Sequence, residues 1–335
     1  MVAKPSGAQR SARPGRRKLT ARLNPSDRGF RAILRGGGIA VLVLLVLVGT
    51  FLFYRGSDAL RSEGFSRFIT TQLWSPNSGS FGIAAVAVGT ILIALVALVF
   101  AAVLSFGVSL FISEYAPLAT RRFLVTVVDL MAAVPSVIFG LWGAFLVQWR
   151  VISLSRWFSD WLGWIPAFQV NAARHTWSPT KYTSSTFIAG LVVALMITPV
   201  AASVMREAFS QAPPGEREGA YALGATRWGM IRSVVLPFGR GAIIGGLMLG
   251  LGRALGETMA VVMIISPVYK IQLHVLENGT SSISSMIALN YAEATPFALS
   301  ALMAAGLALF AMTLVINFIA AVIVSRSRSG AVSEA

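Results

Sequence analysis

Residues 206–237 read REAFSQAPPGEREGAYALGATRWGMIRSVVLP and separate two long apolar runs, 186–209 and 234–266. A tether between two membrane spans needs only a few polar residues. This one holds Pro213 and Pro214, then a helix-forming run over about 215–234. Within that run Glu216, Glu218, Arg227 and Arg232 alternate with Ala220, Leu223, Met230 and Ile231, so a short helix here presents a mixed face of small and apolar side chains outside the membrane. Such a face suits the headgroup layer and a docking partner equally well. Gly224 interrupts the run, at a cost of about 1 kcal/mol against alanine in a helix interior. Its compensation would be close backbone approach or a corner between two short helices. Pro237 then opens the next apolar run, where a missing N–H does no harm.

Working outward from the loop, the chain of 335 residues is 56% hydrophobic and 12% charged, with a mean hydropathy of +0.73. Soluble domains carry about 25% charged residues, twice this proportion. Six apolar stretches approach or exceed the roughly 20 residues a helix needs to cross a bilayer. They fall at about 37–54, 82–112, 123–149, 186–209, 234–266 and 297–324. The expectation is an all-α, polytopic membrane protein whose permease domain covers 37–324 and whose loop 213–233 lies between spans four and five. With no cysteine in the chain, disulfides and thiolate metal sites are excluded. The two histidines, His175 and His274, fall in separate loops and suggest no metal cluster.

The net charge of +15 is concentrated at one end. Lys4, Arg10, Arg13, Arg16, Arg17, Lys18, Arg22, Arg28, Arg31 and Arg35 all precede the first apolar run, against Asp27 alone. That distribution is a topology signal and a binder of anionic membrane lipids, and no basic folded domain accompanies it to suggest nucleic acid. It predicts both termini on the cytoplasmic side, together with 113–122 and 206–233, although Arg150, Arg156, Arg174 and Lys181 lie in the opposite loop. Residues 1–25 read as a disordered basic tail, 26–36 as an interfacial helix, and 325–335 as a second tail. The first apolar run reads as a retained helix, because its basic lead is long and no small-residue cleavage site follows. Trp157, Trp161, Trp164 and Trp177 suggest an interfacial belt on a short amphipathic helix.

The loop also resembles the EAA loop of ABC-importer permeases. Glu218, Gly219, Ala220, Gly224, Val234, Leu236 and Pro237 match that pattern at its spacing, with Gly219 where the family usually has alanine. The resemblance implies a coupling helix that inserts into a cleft of an ATP-binding subunit. The chain has no G-x-x-x-x-G-K-[ST] phosphate loop, so ATP hydrolysis by that route must belong to another polypeptide.

Beyond the loop, LGRALGETMAVV at 251–262 places Arg253 and Glu257 inside an apolar run. In a helix extending from about Pro237 to Ser266, four residues of separation puts both on one face, within reach of each other. A lone charge at the bilayer centre costs at least about 2.5–3.5 kcal/mol, so an ion pair facing an interior path is expected. Gly241, Gly245, Gly246, Gly250, Gly252 and Gly256 would thin one side of that helix for close packing. Arg253 would supply the multi-donor cation that an oxyanion requires, with Glu257 holding it in place. A purely structural lock between helices is the alternative.

GLMLGLGRALGETMAVVMI, AAVPSVIFGLWG at 132–143 and SEYAP at 113–117 are similar to the PstC-type phosphate permeases. That resemblance implies the six-helix type I, MetI-like permease fold and inorganic phosphate as cargo. It also implies a homologous PstA-type permease, PstB-type ATP-binding subunits and an extracytoplasmic phosphate-binding protein as partners. No cofactor is expected in this chain, ATP and Mg2+ being held by the ATPase. Sulfate or molybdate as cargo, or an ion-gradient-driven carrier using Glu257, are the alternatives. Pro135 and Pro199 would kink spans three and four. Asp129 reads as an interfacial carboxylate near Arg121 or Arg122, and Lys270 and Glu293 as charges of the last external loop.

Overall fold

The computed structural model describes residues 25–170 and 179–327. The expected tails, together with Arg174, His175 and Trp177, therefore lie largely or wholly outside the described residues. Thirteen α-helices make up almost all of the regular structure described. In chain order they are α1 (Pro25–Glu63), α2 (Phe65–Thr70), α3 (Ala84–Leu110), α4 (Leu118–Ala133), α5 (Ser136–Trp142), α6 (Gln148–Leu162) and α7 (Thr186–Ser210). There follow α8 (Pro214–Ala222), α9 (Arg227–Met230), α10 (Leu236–Leu255), α11 (Met259–Ile264), α12 (Ile283–Asn290) and α13 (Pro296–Ser327). A small antiparallel ribbon pairs Trp74 with Phe81 and Ser75 with Ser80.

The chain divides into two units at Val48. The described part of the first is the leading stretch of α1, whose apolar residues from Ile39 to Val48 are all exposed. The expected interfacial stretch 26–36 is continuous with the span, because α1 runs unbroken from Pro25. The second unit holds the remaining helices. Its centre is the helix α7, 72% of whose most apolar window is buried, against no more than 28% for any other candidate span. A core of Ile93, Ala97, Ile188, Val192, Val193, Ile197, Leu255, Val261 and Ile264 joins α3, α7, α10 and α11. Gly190 allows the closest of these contacts, since a Cβ there would stand 2.5 Å from Val96 Cγ1. A second core, with Phe68, Trp74, Phe81, Ile283 and Met286, fastens the ribbon and α12 to α13.

Six helical stretches are long and apolar enough to cross a membrane: Ser26–Glu63, Ala84–Tyr115, Ser136–Leu162, Thr186–Ser210, Arg227–Leu255 and Pro296–Val324. The third is displaced from the expected 123–149. Val134 and Pro135 both take extended dihedrals and end α4, because a proline disfavours α geometry in the residue before it. Pro135 therefore breaks the helix where a kink was expected. Pro199, by contrast, is carried inside the continuous α7. The third span continues through a π turn at Gly143–Val147 into α6, which bears the exposed Trp149, Trp157 and Trp161.

The fifth span is displaced as well. It starts at Arg227, so Pro237 does not open it but lies within a continuous helix. The π turn Ile231–Val235 precedes the proline, and Leu236 N–H donates five residues back to the Ile231 carbonyl. The wider turn absorbs the ring that would otherwise crowd the carbonyl four residues earlier. At its other end the helix stops at Leu255 rather than running to Ser266.

Candidate functional site

Two regions carry the chemistry: the loop between α7 and α10, and the end of α10. In the loop, Pro214 stands at the first helical position of α8, where its missing N–H leaves nothing unsatisfied. The helix ends at Leu223 because Gly224 turns left-handed, with φ +82°. Gly224 N–H donates to the Tyr221 carbonyl (2.9 Å) and Ala225 N–H to the Ala220 carbonyl (3.0 Å). This pair of bonds is a Schellman closure. Thr226 then caps α9, its hydroxyl accepting from Gly229 N–H at 3.1 Å. Gly224 is thus the corner between two short helices, one of the two roles its position suggested.

Glu218 and Gly219 lie on the exposed side of α8, while Ala220 packs partly against the core formed by Phe209, Met230 and Ile231. Leu223 (91% exposed), Tyr221 and Trp228 project from the same corner. In water, such a cluster of exposed apolar side chains marks a surface for a partner.

Among the described residues two charged side chains are buried, Glu114 and Glu257. Glu114 lies in the π turn Phe111–Tyr115 that ends α3. Both its oxygens are gripped by Arg217 of α8, Nη1 to Oε2 at 2.9 Å and Nη2 to Oε1 at 3.1 Å. Ser113 Oγ adds a third bond to Oε1 at 2.7 Å. Arg217 Nε also donates to the Ala212 carbonyl (3.2 Å), and its Nη2 to the Phe209 carbonyl. Arg227 of α9 donates to the Glu114 backbone carbonyl and lies 5.0 Å from the Tyr115 ring centroid. Sequence reasoning missed this assembly. Its partners are 103 residues apart, and no local periodicity links them.

At the end of α10, Arg253 and Glu257 do not form the expected ion pair. The i,i+4 geometry requires an uninterrupted helix, and Gly256 breaks it between them. The Glu257 carboxylate instead accepts from Ala260 N–H at 3.1 Å, capping α11. Ser284 Oγ donates to the Glu257 carbonyl at 2.8 Å, which ties that turn to α12. Arg253 is left in the last turn of α10, where the helix carbonyl end favours a cation. It is exposed and lines an open cavity of 340 Å³ with Val200, Met248, Leu249, Gly252 and Asn317.

The α10 glycines face more than one neighbour. A Cβ on Gly246 would lie 3.0 Å from the Ala201 carbonyl on α7, whereas one on Gly252 would lie 3.1 Å from Asn317 Oδ1 on α13. Asn317 is a polar side chain amid the last apolar span, a signal carried by the sequence itself.

Residues 105–329 match the family model described as the binding-protein-dependent transport system inner membrane component. The chain belongs to that family. As an inner membrane component it is a multi-pass membrane protein of a system that depends on a separate binding protein.

Among curated relatives it is 39% identical over 302 residues to the phosphate transport system permease protein PstC of Pasteurella multocida, covering 89% of this chain and 91% of that one. It is 37% identical over 314 residues to the PstC protein of Xylella fastidiosa, covering 93% and 94%. Identity to PstC 2 of Mycobacterium tuberculosis is 35% over 301 residues. The inner membrane component also shares its fold with a bacterial ABC transporter involved in alginate import, at a TM-score of 0.55 and 19% identity over 89% of this chain and 99% of that one. The six-span, all-α importer permease fold expected from the sequence is the fold observed.

Proposed function

We propose that this chain conducts inorganic phosphate into the cytoplasm as one of two homologous permeases, driven by separate ATP-binding subunits and supplied by an extracytoplasmic phosphate-binding protein. The observation that carries the proposal is 39% identity, over nearly the full length of both chains, to a relative named as a phosphate transport permease. The concentration of basic residues before α1 supports placing both termini in the cytoplasm, and with them the loop of α8 and α9.

Arg253 is the residue proposed to meet the anion. A guanidinium offers several donors in a fixed plane, matched to a tetrahedral oxyanion. Its place at a helix carbonyl end has a second consequence. The partial negative charge there favours the cation but disfavours an anion, which weakens retention of phosphate and suits a site that must release its cargo. Glu257 acts here as a cap that fixes where α11 begins. Glu218, Gly219, Ala220 and Gly224 lie in the coupling loop and Pro237 in the span that follows it, while Tyr221, Leu223 and Trp228 form the face offered to the ATPase. Closure of the ATPase dimer would move α8 and α9 and switch the cavity from one side of the membrane to the other.

The test is uptake of labelled phosphate by proteoliposomes holding this chain, the second permease, the ATPase and the binding protein, with the ATPase side supplied with ATP. Uptake that requires ATP and is not displaced by excess sulfate or molybdate is the expected result. ATP-independent uptake that follows a proton gradient would reject the proposal in favour of a secondary carrier.

A further inference from the structure

The contacts around Glu114 do more than hold a loop in place. One residue at the end of α3 binds an arginine from each helix of the α8–α9 corner, Arg217 through its carboxylate and Arg227 through its carbonyl. Arg217 simultaneously holds the carbonyls of Phe209 and Ala212, just where α7 ends. The ends of α3 and α7 are therefore both tied to the loop through one polar cluster, beside the apolar core of Leu110, Phe209 and Met230. Elsewhere α8 is lightly held: its residues are exposed or half-buried, and a Cβ on Gly215 or Gly219 would meet nothing within 4 Å.

The kind of bond matters. Apolar side chains slide over one another at little cost, whereas a two-pronged arginine–carboxylate contact fixes both distance and orientation. With the Glu114 side chain 3% exposed, water cannot readily replace either partner. Buried pairs of this sort are weak evidence for stability, and the use best supported for them is the setting of geometry. The two helices it grips also form the centre of the protein, since α3 packs along α7 through Ile93, Val96, Ile188 and Gly190.

We infer that Glu114, Arg217 and Arg227 form a strut that transmits displacement of the α8–α9 loop to α3 and α7, and through α7 to the α10 cavity at Arg253. The inference rests on the reading of α8–α9 as the ATPase-docking loop. It makes Glu114 and Arg217 positioning residues, which touch neither phosphate nor ATP.

The test uses the same reconstituted four-protein complex and reads two quantities, phosphate taken up per ATP hydrolysed and ATPase retained on washed vesicles. Glu114→Gln keeps the size of the side chain but removes the charge that holds the arginine fork. It should retain the ATPase and continue hydrolysis while phosphate moved per ATP falls by about tenfold or more. Arg217→Lys keeps the charge but loses the fork, and should show a smaller fall in the same ratio. Should Glu114→Gln fail to assemble, the lysine variant decides by that ratio alone. A ratio equal to that of the unmodified complex would overturn the strut. So would parallel loss of uptake, hydrolysis and bound ATPase in the lysine variant, which is the signature of a merely structural role. An unmodified complex that hydrolyses ATP without moving phosphate would overturn the functional reading, and the strut with it.

Discussion

Replacing Gly224 separates the shape of the α8–α9 loop from its chemistry. The residue has φ +82°, and a Cβ built on it meets no atom within 4 Å. A substitution there adds no clash, so its whole effect is conformational. An ordinary L-residue in left-handed geometry costs about 1–2 kcal/mol. Asparagine tolerates this region better, and a β-branched residue worse. The native corner also closes the bonds from Gly224 N–H to Tyr221 and from Ala225 N–H to Ala220, which would be lost if the loop relaxed. If the ATPase binds only the cornered form, the penalty appears directly in affinity. An increase in Kd of about 5–30-fold is expected for Gly224→Ala. Gly224→Asn should lose less than Gly224→Ala, and Gly224→Val more. The assay is titration of the purified ATPase against the detergent-solubilised permease pair, with each variant's thermal midpoint measured alongside. Equal affinities for the alanine, asparagine and valine variants would refute the conformational argument, whatever their common value.

Three further outcomes test the α10 region. Arg253→Gln removes the charged donors facing the cavity, each worth about 1.5–3 kcal/mol to an anion, so uptake should fall below detection while the complex still co-purifies. Normal uptake would remove Arg253 from the path. Glu257→Gln keeps an oxygen to accept from Ala260 N–H, whereas Glu257→Ala does not; only alanine should lower stability, by about 1 kcal/mol, as read from heat-induced aggregation in detergent. Equal losses would mean that charge, rather than the cap, is what counts. Asn317→Leu replaces an exposed amide in a membrane span and should leave the isolated chain at least as stable while reducing phosphate uptake several-fold. Unaltered uptake would place Asn317 outside the cavity's function.

The parts of the fold legible in the sequence were those encoded by composition over twenty or more residues. Apolar stretches marked all six spans, because a bilayer demands length and hydropathy and little else. Their ends were read less accurately wherever a proline intervened. Val134–Pro135 ended a helix that composition alone would have continued, and Pro237 was absorbed by a π turn that no periodicity announces. Gly224 could be placed at a corner from its interruption of a helical pattern, but not assigned its left-handed conformation. The cavity at Arg253 was partly legible: Arg253 stood out as a charge among apolar residues, while Asn317 on the last span joined it only through packing.

The charged residues show where local reasoning stops. Arg253 and Glu257 satisfy the four-residue spacing and are not paired; Glu114 and Arg217, 103 residues apart, are paired through two hydrogen bonds. A spacing rule describes one continuous helix, and that premise fails because α10 ends at Leu255, with Gly256 as its cap, two residues before Glu257. The break has a functional meaning that a paired arrangement would lack. An Arg253 neutralised by Glu257 would have to surrender that partner's Coulomb attraction for every anion it met. With Glu257 committed to the first turn of α11, the guanidinium has no ion pair among the described residues and needs no such exchange. On the proposed function the separation of duties is physical: the charge that would meet a passing anion is left without an ion pair in the cavity, and the charge pair proposed as a strut is buried where the loop joins the spans.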